Sequence, residues 1–152
     1  MSGLELKIPP PVMAATTALL LYSGDRLSPQ PWRVEVSPWL IGLTVMIALL
    51  VGAAAVAHFF RAGTTVHPHC PEKSEVLVAR GIYRYSRNPM YLSLLLILIA
   101  WSMHLGWVGA PLLWALFVVW ITRFQIRPEE RVLAQLFGDD YRAYCDRVRR
   151  WL

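Results

Sequence analysis

Residues able to do chemistry gather in two polar blocks. The first runs Arg80-Gly81-Ile82-Tyr83-Arg84-Tyr85-Ser86-Arg87-Asn88-Pro89-Met90-Tyr91, and the second, Arg127-Pro128-Glu129-Glu130, follows one hydrophobic hairpin later. Each block sits at the mouth of an apolar stretch. Arginines, tyrosines and paired carboxylates are costly to hold near hydrocarbon, so at such positions they point to binding or catalysis. A carboxylate pair there can bind a cationic amine or accept hydrogen bonds from hydroxyls in a partly dehydrated pocket. The same pair also suits the first turn of a helix, where acids meet the positive dipole end and Pro128 loses only an N–H that would be orphaned. In the first block, Pro89 suits a helix start and Asn88 its cap. That structural need leaves Arg80, Arg84, Arg87, Tyr83, Tyr85 and Tyr91 unexplained. Snorkelling to lipid phosphates is the other use for the arginines.

Four apolar stretches must position these blocks. Val12 to Tyr22 is short for a span, since a helix needs about 20 apolar residues to cross. Trp39 to Phe60 contains His58 as its single ionisable group and is roughly 33 Å long at the helical rise. Met90 to about Leu105 and Trp107 to about Phe124 form a tight hairpin around Gly106, with Trp101, Trp107 and Trp114 near the turn as an interfacial belt. The pattern predicts an all-α, integral-membrane chain with about four transmembrane helices, at about 11–23, 39–60, 89–105 and 107–125. A cytoplasmic loop, 61–88, and an amphipathic cytoplasmic tail, 126–152, complete a single domain over 1–152. In the tail, Val132, Leu133, Leu136 and Phe137 recur at helical spacing. Gly138 then breaks the run, and Asp139 or Asp140 suits the cap of a second short helix. That helix gathers Tyr141, Tyr144, Val148 and Trp151 on one side.

Composition supports this class: of 152 residues, 56% are hydrophobic and 16% charged. The basic residues are clustered, with Arg61, Lys73, Arg80, Arg84 and Arg87 in one segment and Arg123, Arg127, Arg131, Arg142, Arg147, Arg149 and Arg150 in the other. The loop at 24–38 balances Asp25 and Glu35 against Arg26 and Arg33. This asymmetry places both basic segments and both termini in the cytoplasm. A nucleic-acid module would need a soluble fold around its basic patch, and the apolar runs leave no room for one. Cys70 and Cys145 are too few for a disulfide framework, and the N-terminus does not read as a cleavable signal. His67-Pro68-His69-Cys70 lacks a second ligand pair at zinc spacing, so no metal is expected. His58 and His104 read as an interfacial and a turn residue. The chain also lacks a Gly-x-Gly-x-x-Gly turn, so any nucleoside cofactor must sit among helix ends and loops.

Taken with Phe137-Gly138-Asp139-Asp140-Tyr141, the two blocks resemble the family of integral-membrane methyltransferases that includes isoprenylcysteine carboxyl methyltransferase and phosphatidylethanolamine methyltransferase. The resemblance covers roughly residues 61–152. Asn88 stands where the carboxyl methyltransferases commonly carry His, whereas Asn-Pro-Met-Tyr is seen in the phospholipid branch and many bacterial members. The resemblance implies S-adenosylmethionine as cofactor, bound by Glu129 and Glu130. The same cofactor pocket would be lined by Val76, Leu77, Val78, Tyr83, Asn88, Pro89, Met90 and Tyr91. Arg87, Tyr83 and Arg127 are the implied catalytic residues, with Arg123 in reserve. It further implies a bacterial inner-membrane enzyme whose site faces the cytoplasm and takes a lipophilic acceptor from the bilayer. That acceptor is an isoprenylcysteine-type carboxylate or similar; a phospholipid amine, a non-catalytic binding protein of the same fold and a transporter subunit are the alternatives. Because a two-span hairpin returns the chain to one face, Tyr83, Arg87, Asn88 and Tyr91 should converge with Glu129 around one cavity.

Overall fold

A computed structural model of the protein describes residues 5–28, 33–61, 77 and 79–152. Among these the architecture is all-helical: α1 (Pro10–Leu27), α2 (Pro38–Arg61), a 3-10 turn (Gly81–Arg84), α3 (Pro89–Leu105), α4 (Ala110–Ile121), a π turn (Thr122–Ile126) and α5 (Arg127–Arg147). An isolated antiparallel bridge between Arg33 and Trp107 is the one β feature among the described residues.

The central element is α3, which packs against α1, α2 and α4. Its contact with α2 is close because the facing residues are small. A Cβ on Gly52 would stand 2.7 Å from Ser93 Oγ, and that hydroxyl is satisfied in its apolar setting by donating to the Ala48 carbonyl at 2.8 Å. Leu21, Leu98, Phe117, Ile121 and Ile126 fill the centre, with Trp107, Trp114 and Trp120 packed around them. The outward face of α2 carries exposed Leu40, Leu43, Met46, Ile47, Leu49 and Leu50. Pro38–His58 within it, at mean hydropathy 2.6, is the one described helix long and apolar enough to cross a membrane; Pro89–Leu105 is apolar but shorter.

Two boundaries differ from the sequence expectation. The first helix runs on to Leu27 because Asp25, though buried, pairs with Arg33 at 2.8 Å. The fourth begins at Ala110 rather than Trp107: Gly106, at φ 77°, closes α3 in the left-handed region, and residues 107–109 form the turn. The Trp107 indole fills that corner so tightly that a Cβ on Gly24 would lie 2.5 Å from it. In the tail, α5 is broken by a non-helical kink at Gly138 (φ 50°, ψ −120°), as the sequence predicts, and its second half runs to Arg147. Beyond the bend, Tyr141, Tyr144 and Val148 bury together against Leu77, Ala79, Leu133 and Phe137, whereas Trp151 packs on the main core.

Between α4 and α5 the helix widens into the π turn without breaking. The segment before α1 lies against it: Leu6 N–H donates to the Phe124 carbonyl at 3.0 Å, and Gln125, fully buried, donates through Nε2 to the Ile8 carbonyl at 2.6 Å. Arg131 pairs with Glu5 at 2.6 Å nearby.

Candidate active site

The first polar block is folded by its glycine and its serine. Gly81 has φ 62°, and a Cβ there would overlap the His58 imidazole, so glycine lets the 3-10 turn sit directly on the end of α2. His58 Nδ1 is held in turn by the Ala54 carbonyl at 2.9 Å. This seating buries Tyr83. Ser86, also buried, accepts the Asn88 N–H at 3.1 Å, and Pro89 opens α3. Asn88 occupies the cap position, yet its side chain makes no cap hydrogen bond. Its Nδ2 donates instead to the Arg150 carbonyl at 2.9 Å, because that acceptor comes within reach from the far end of the chain.

The second block starts α5. Successive helical residues point about 100° apart, so the two adjacent acids meet different partners. Glu130 Oε1 accepts from Arg87 Nη2 at 2.9 Å. Arg150 grips the same carboxylate in bidentate fashion, through Nε to Oε1 at 2.9 Å and Nη2 to Oε2 at 2.7 Å. Glu129 accepts one hydrogen bond, from the Tyr91 hydroxyl. Two further ties close the cluster: Arg87 N–H donates to the Arg149 carbonyl at 3.0 Å, and Tyr144 OH donates to the Tyr83 carbonyl at 2.7 Å. Arg87 Nε, buried, has no hydrogen-bond partner among the described residues.

The electrostatics separate the acids further. Burial pushes Glu129 up to about 8; the Tyr91 hydrogen bond pulls the other way, and neighbouring Glu130 adds to the rise. At neutral pH, Glu129 is therefore a carboxyl group poised to ionise. Burial raises the Tyr83 and Tyr141 hydroxyls above the ordinary tyrosine range. It also pushes Tyr144 up to about 12, against the opposing effect of Arg87. These phenols are donors at neutral pH. The hydrogen bond to Glu130 raises Arg150 and fixes it as a cation.

The structure thus brings together Tyr83, Arg87, Asn88, Tyr91, Glu129 and Glu130 from the two blocks. Pro89 and Met90 lie in the first turn of α3 beside them, and Leu77 packs on Tyr141 and Tyr144. Arg127 is exposed at the start of α5 and takes no part in these hydrogen bonds; Arg123 is exposed too, stacked over the Phe124 ring at 5.9 Å. Val76, Val78 and the His67–Cys70 run lie outside the described residues. Sequence reasoning missed Arg150, Tyr144 and the Arg149 carbonyl. A helix that carries Tyr141, Tyr144, Val148 and Trp151 on one side leaves Arg149 and Arg150 on others, but the helix stops at Arg147 and Val148 is extended (φ −126°, ψ 128°), so that periodicity does not apply to them. An open groove of about 880 Å³ at the other pole, lined by Arg33, Glu35, Met103 and His104 among others, contains none of the clustered residues. Among the described residues, no three His, Cys, Asp or Glu side chains group as a metal site.

A family model described as phospholipid methyltransferase matches residues 36–140. An uncharacterized protein of Haemophilus influenzae is 52% identical over 66 residues, which are 41% of this chain and all of that protein. Protein-S-isoprenylcysteine O-methyltransferase of Schizosaccharomyces pombe is 34% identical over 76 residues, 50% of this chain but 32% of that enzyme. The similarity therefore spans less than a third of the yeast enzyme's length. No solved structure matches the chain.

Proposed function

Because the chain belongs to the phospholipid methyltransferase family of integral-membrane methyltransferases, we propose that it moves a methyl group from S-adenosylmethionine to a lipophilic acceptor at the Glu129–Arg87 cluster. One observation carries this reading. Two polar blocks separated by an apolar hairpin meet through Tyr91–Glu129 and Arg87–Glu130.

The residues present fit that cofactor. Among the described residues Glu129 has a single hydrogen-bond partner, which leaves its carboxylate able to accept from a cationic amine or ribose hydroxyls. Arg87 Nε, without a partner among the described residues, is a donor suited to the carboxylate of an acceptor. When bound, the cofactor supplies an electrophilic sulfonium methyl. The protein's own work is alignment and exclusion of water. Tyr91 orients Glu129, Glu130 orients Arg87, and Tyr144 pins the turn that carries Tyr83. Leu77, Tyr83, Asn88, Pro89, Met90 and Tyr91 complete the cofactor pocket in this reading, together with Val76 and Val78. Arg87 and Tyr83 serve the acceptor. Arg127, exposed as it is, serves at the rim.

The acceptor we favour is an isoprenylcysteine-type carboxylate, a class supported by the name of the yeast relative. A carboxylate nucleophile needs no base. A second reading, methylation of a phospholipid amine, draws on the raised affinity of Glu129 for a proton, since an amine must lose one to react. Purified protein given methyl-labelled cofactor with S-farnesylcysteine or with phosphatidylethanolamine separates the two. Label released by alkali as methanol marks an ester, and alkali-stable label marks an N-methyl group. Absence of transfer to either, and to native lipid extract, would sink the methyltransferase reading.

In the same reading α1 to α4 cross the inner membrane four times, as one domain. The site and both termini face the cytoplasm, and Gly106 faces the other side. In a cysteine-free background, Ser28→Cys should react with an impermeant thiol reagent in intact cells and Ser74→Cys should not. The reverse pattern would invert this topology.

A further inference from the structure

The helical tail does not end at the site; it comes back over it. After Arg147 the chain turns extended at Val148, and the next two residues each tie down a part of the cluster. The Arg149 carbonyl takes the Arg87 N–H, the Arg150 carbonyl takes the Asn88 amide, and the Arg150 side chain grips both oxygens of Glu130. Trp151 Nε1 donates to Thr122 Oγ1 at 3.1 Å, which anchors this segment on the π turn. These residues lie beyond 36–140, the part of the chain that the family model matches.

We propose that residues 148–151 form a strap over the site and that Arg150 is its positioning residue, holding Glu130 and, through Glu130, the guanidinium of Arg87. The inference rests on the site assignment made under Proposed function. The chain of contacts gives it direction. Glu130 has two oxygens and three incoming donors, two of them from Arg150. Without Arg150, Glu130 keeps one hydrogen bond, to Arg87, and is free to rotate; Arg87 then loses the fixed acceptor that sets its orientation. The Arg150 side chain is 35% exposed, so water can solvate part of what its removal uncovers, and counting competent sites separates a loss of folding from a loss of turnover. Alignment is far more sensitive than stability to such loosening. The Glu129–Tyr91 hydrogen bond does not involve Arg150, so cofactor binding should survive.

The test compares wild-type protein with Arg150→Ala and Arg150→Lys. Calorimetry with S-adenosylhomocysteine counts competent sites. Label transfer to S-farnesylcysteine and to native lipid extract is then expressed per binding site. Arg150→Ala should retain the wild-type number of sites yet turn over about tenfold to a hundredfold more slowly at each. Arg150→Lys, with a charge but no fork, should fall between the two. Added methylguanidinium should restore part of the Arg150→Ala turnover saturably, where sodium chloride at equal ionic strength does not. Wild-type turnover per site in Arg150→Ala would overturn the inference. So would a loss that simply tracks the loss of binding sites, which would make the strap a structural lock alone. If wild-type protein neither binds the homocysteine analogue nor transfers label, the methyltransferase reading fails first and takes this one with it.

Discussion

At the hairpin pole, the bundle is closed by shape. Gly24 and Gly109 fit against the Trp107 indole, Val34 N–H meets the Gly106 carbonyl at 2.7 Å, and one ion pair, Arg33 with Asp25, ties the loop to α1. At the opposite pole, closure is by charge: Arg87, Glu130 and Arg150 form a hydrogen-bonded chain, and four buried tyrosines crowd around it. The instructive contrast lies inside this second pole. Glu130 is engaged by two guanidiniums, while its sequence neighbour Glu129 has one hydroxyl partner and an environment that makes its charge costly. Both acids lie in the first turn of α5, where a negative charge meets the positive dipole end, yet Glu130 alone has cationic side chains to balance it among the described residues.

The largest test of that contrast is Arg87→Ala. It removes the reacting-side guanidinium and leaves Glu130 with Arg150 alone, so turnover per cofactor site should fall by about a hundredfold or more. A comparable loss from a change at the hairpin pole would erase the distinction between the poles.

Glu129→Gln comes next. Loss of a charge-assisted partner should weaken cofactor binding by roughly 1.5–3 kcal/mol, read by calorimetry. The pH dependence sharpens the point. Glu129 is raised from 4.5 to about 8 in the folded protein, so its contribution to stability is full below about 4.5 and is lost as pH rises through about 8. A cationic ligand prefers the ionised form, so binding should release a proton below pH 8. Affinity should then rise with pH up to about 8 and level off above it, and Glu129→Gln should flatten the curve. An unchanged curve in that variant would assign the proton to another group.

Gly24→Leu probes the other pole. With its Cβ 2.5 Å from the Trp107 ring, the larger side chain should cost about 1–3 kcal/mol in a denaturant titration. Turnover per folded site should be untouched. The smallest effect belongs to the surface of the tail: Arg142 and Asp139 pair at 3.0 Å but are 77% and 94% exposed, so Arg142→Ala should move stability by less than about 0.5 kcal/mol.

Much of the site was legible because its residues carry costs that the fold alone does not require. Tyr83, Arg87, Asn88, Tyr91 and Glu129 stood out as polar groups at apolar borders, and the hairpin through Gly106 predicted their meeting. Gly138 was legible as a break because it is a glycine inside a run of helical periodicity, and the positive φ of the kink favours glycine. The division of labour between Glu129 and Glu130 was not, because residue type says nothing of which way each of two adjacent side chains faces. Arg150 was hidden for a different reason: its role depends on the helix stopping at Arg147, and no residue near 147–148 signals that stop. The start of α4 escaped because Trp107 reads as apolar helix when it is in fact the filling of a corner.

The π turn at 122–126 bears on all of this as a question of phase. A π turn absorbs one residue beyond what an α-helix would use, and an α-helix advances about 100° and about 1.5 Å for each residue. Were Thr122–Ile126 to tighten into α geometry, α5 would be carried onward by that step. Pro128 would then stand where Glu129 meets Tyr91, and Glu129 would stand between the two guanidiniums. The wide turn is what keeps the helix in the phase that the site requires. Its fastenings come from far away in the sequence: Leu6 on the Phe124 carbonyl, Ile8 on the buried Gln125, and Trp151 on Thr122. Residues before the first helix and after the last therefore act together as the detent that holds a central helix at one angular setting.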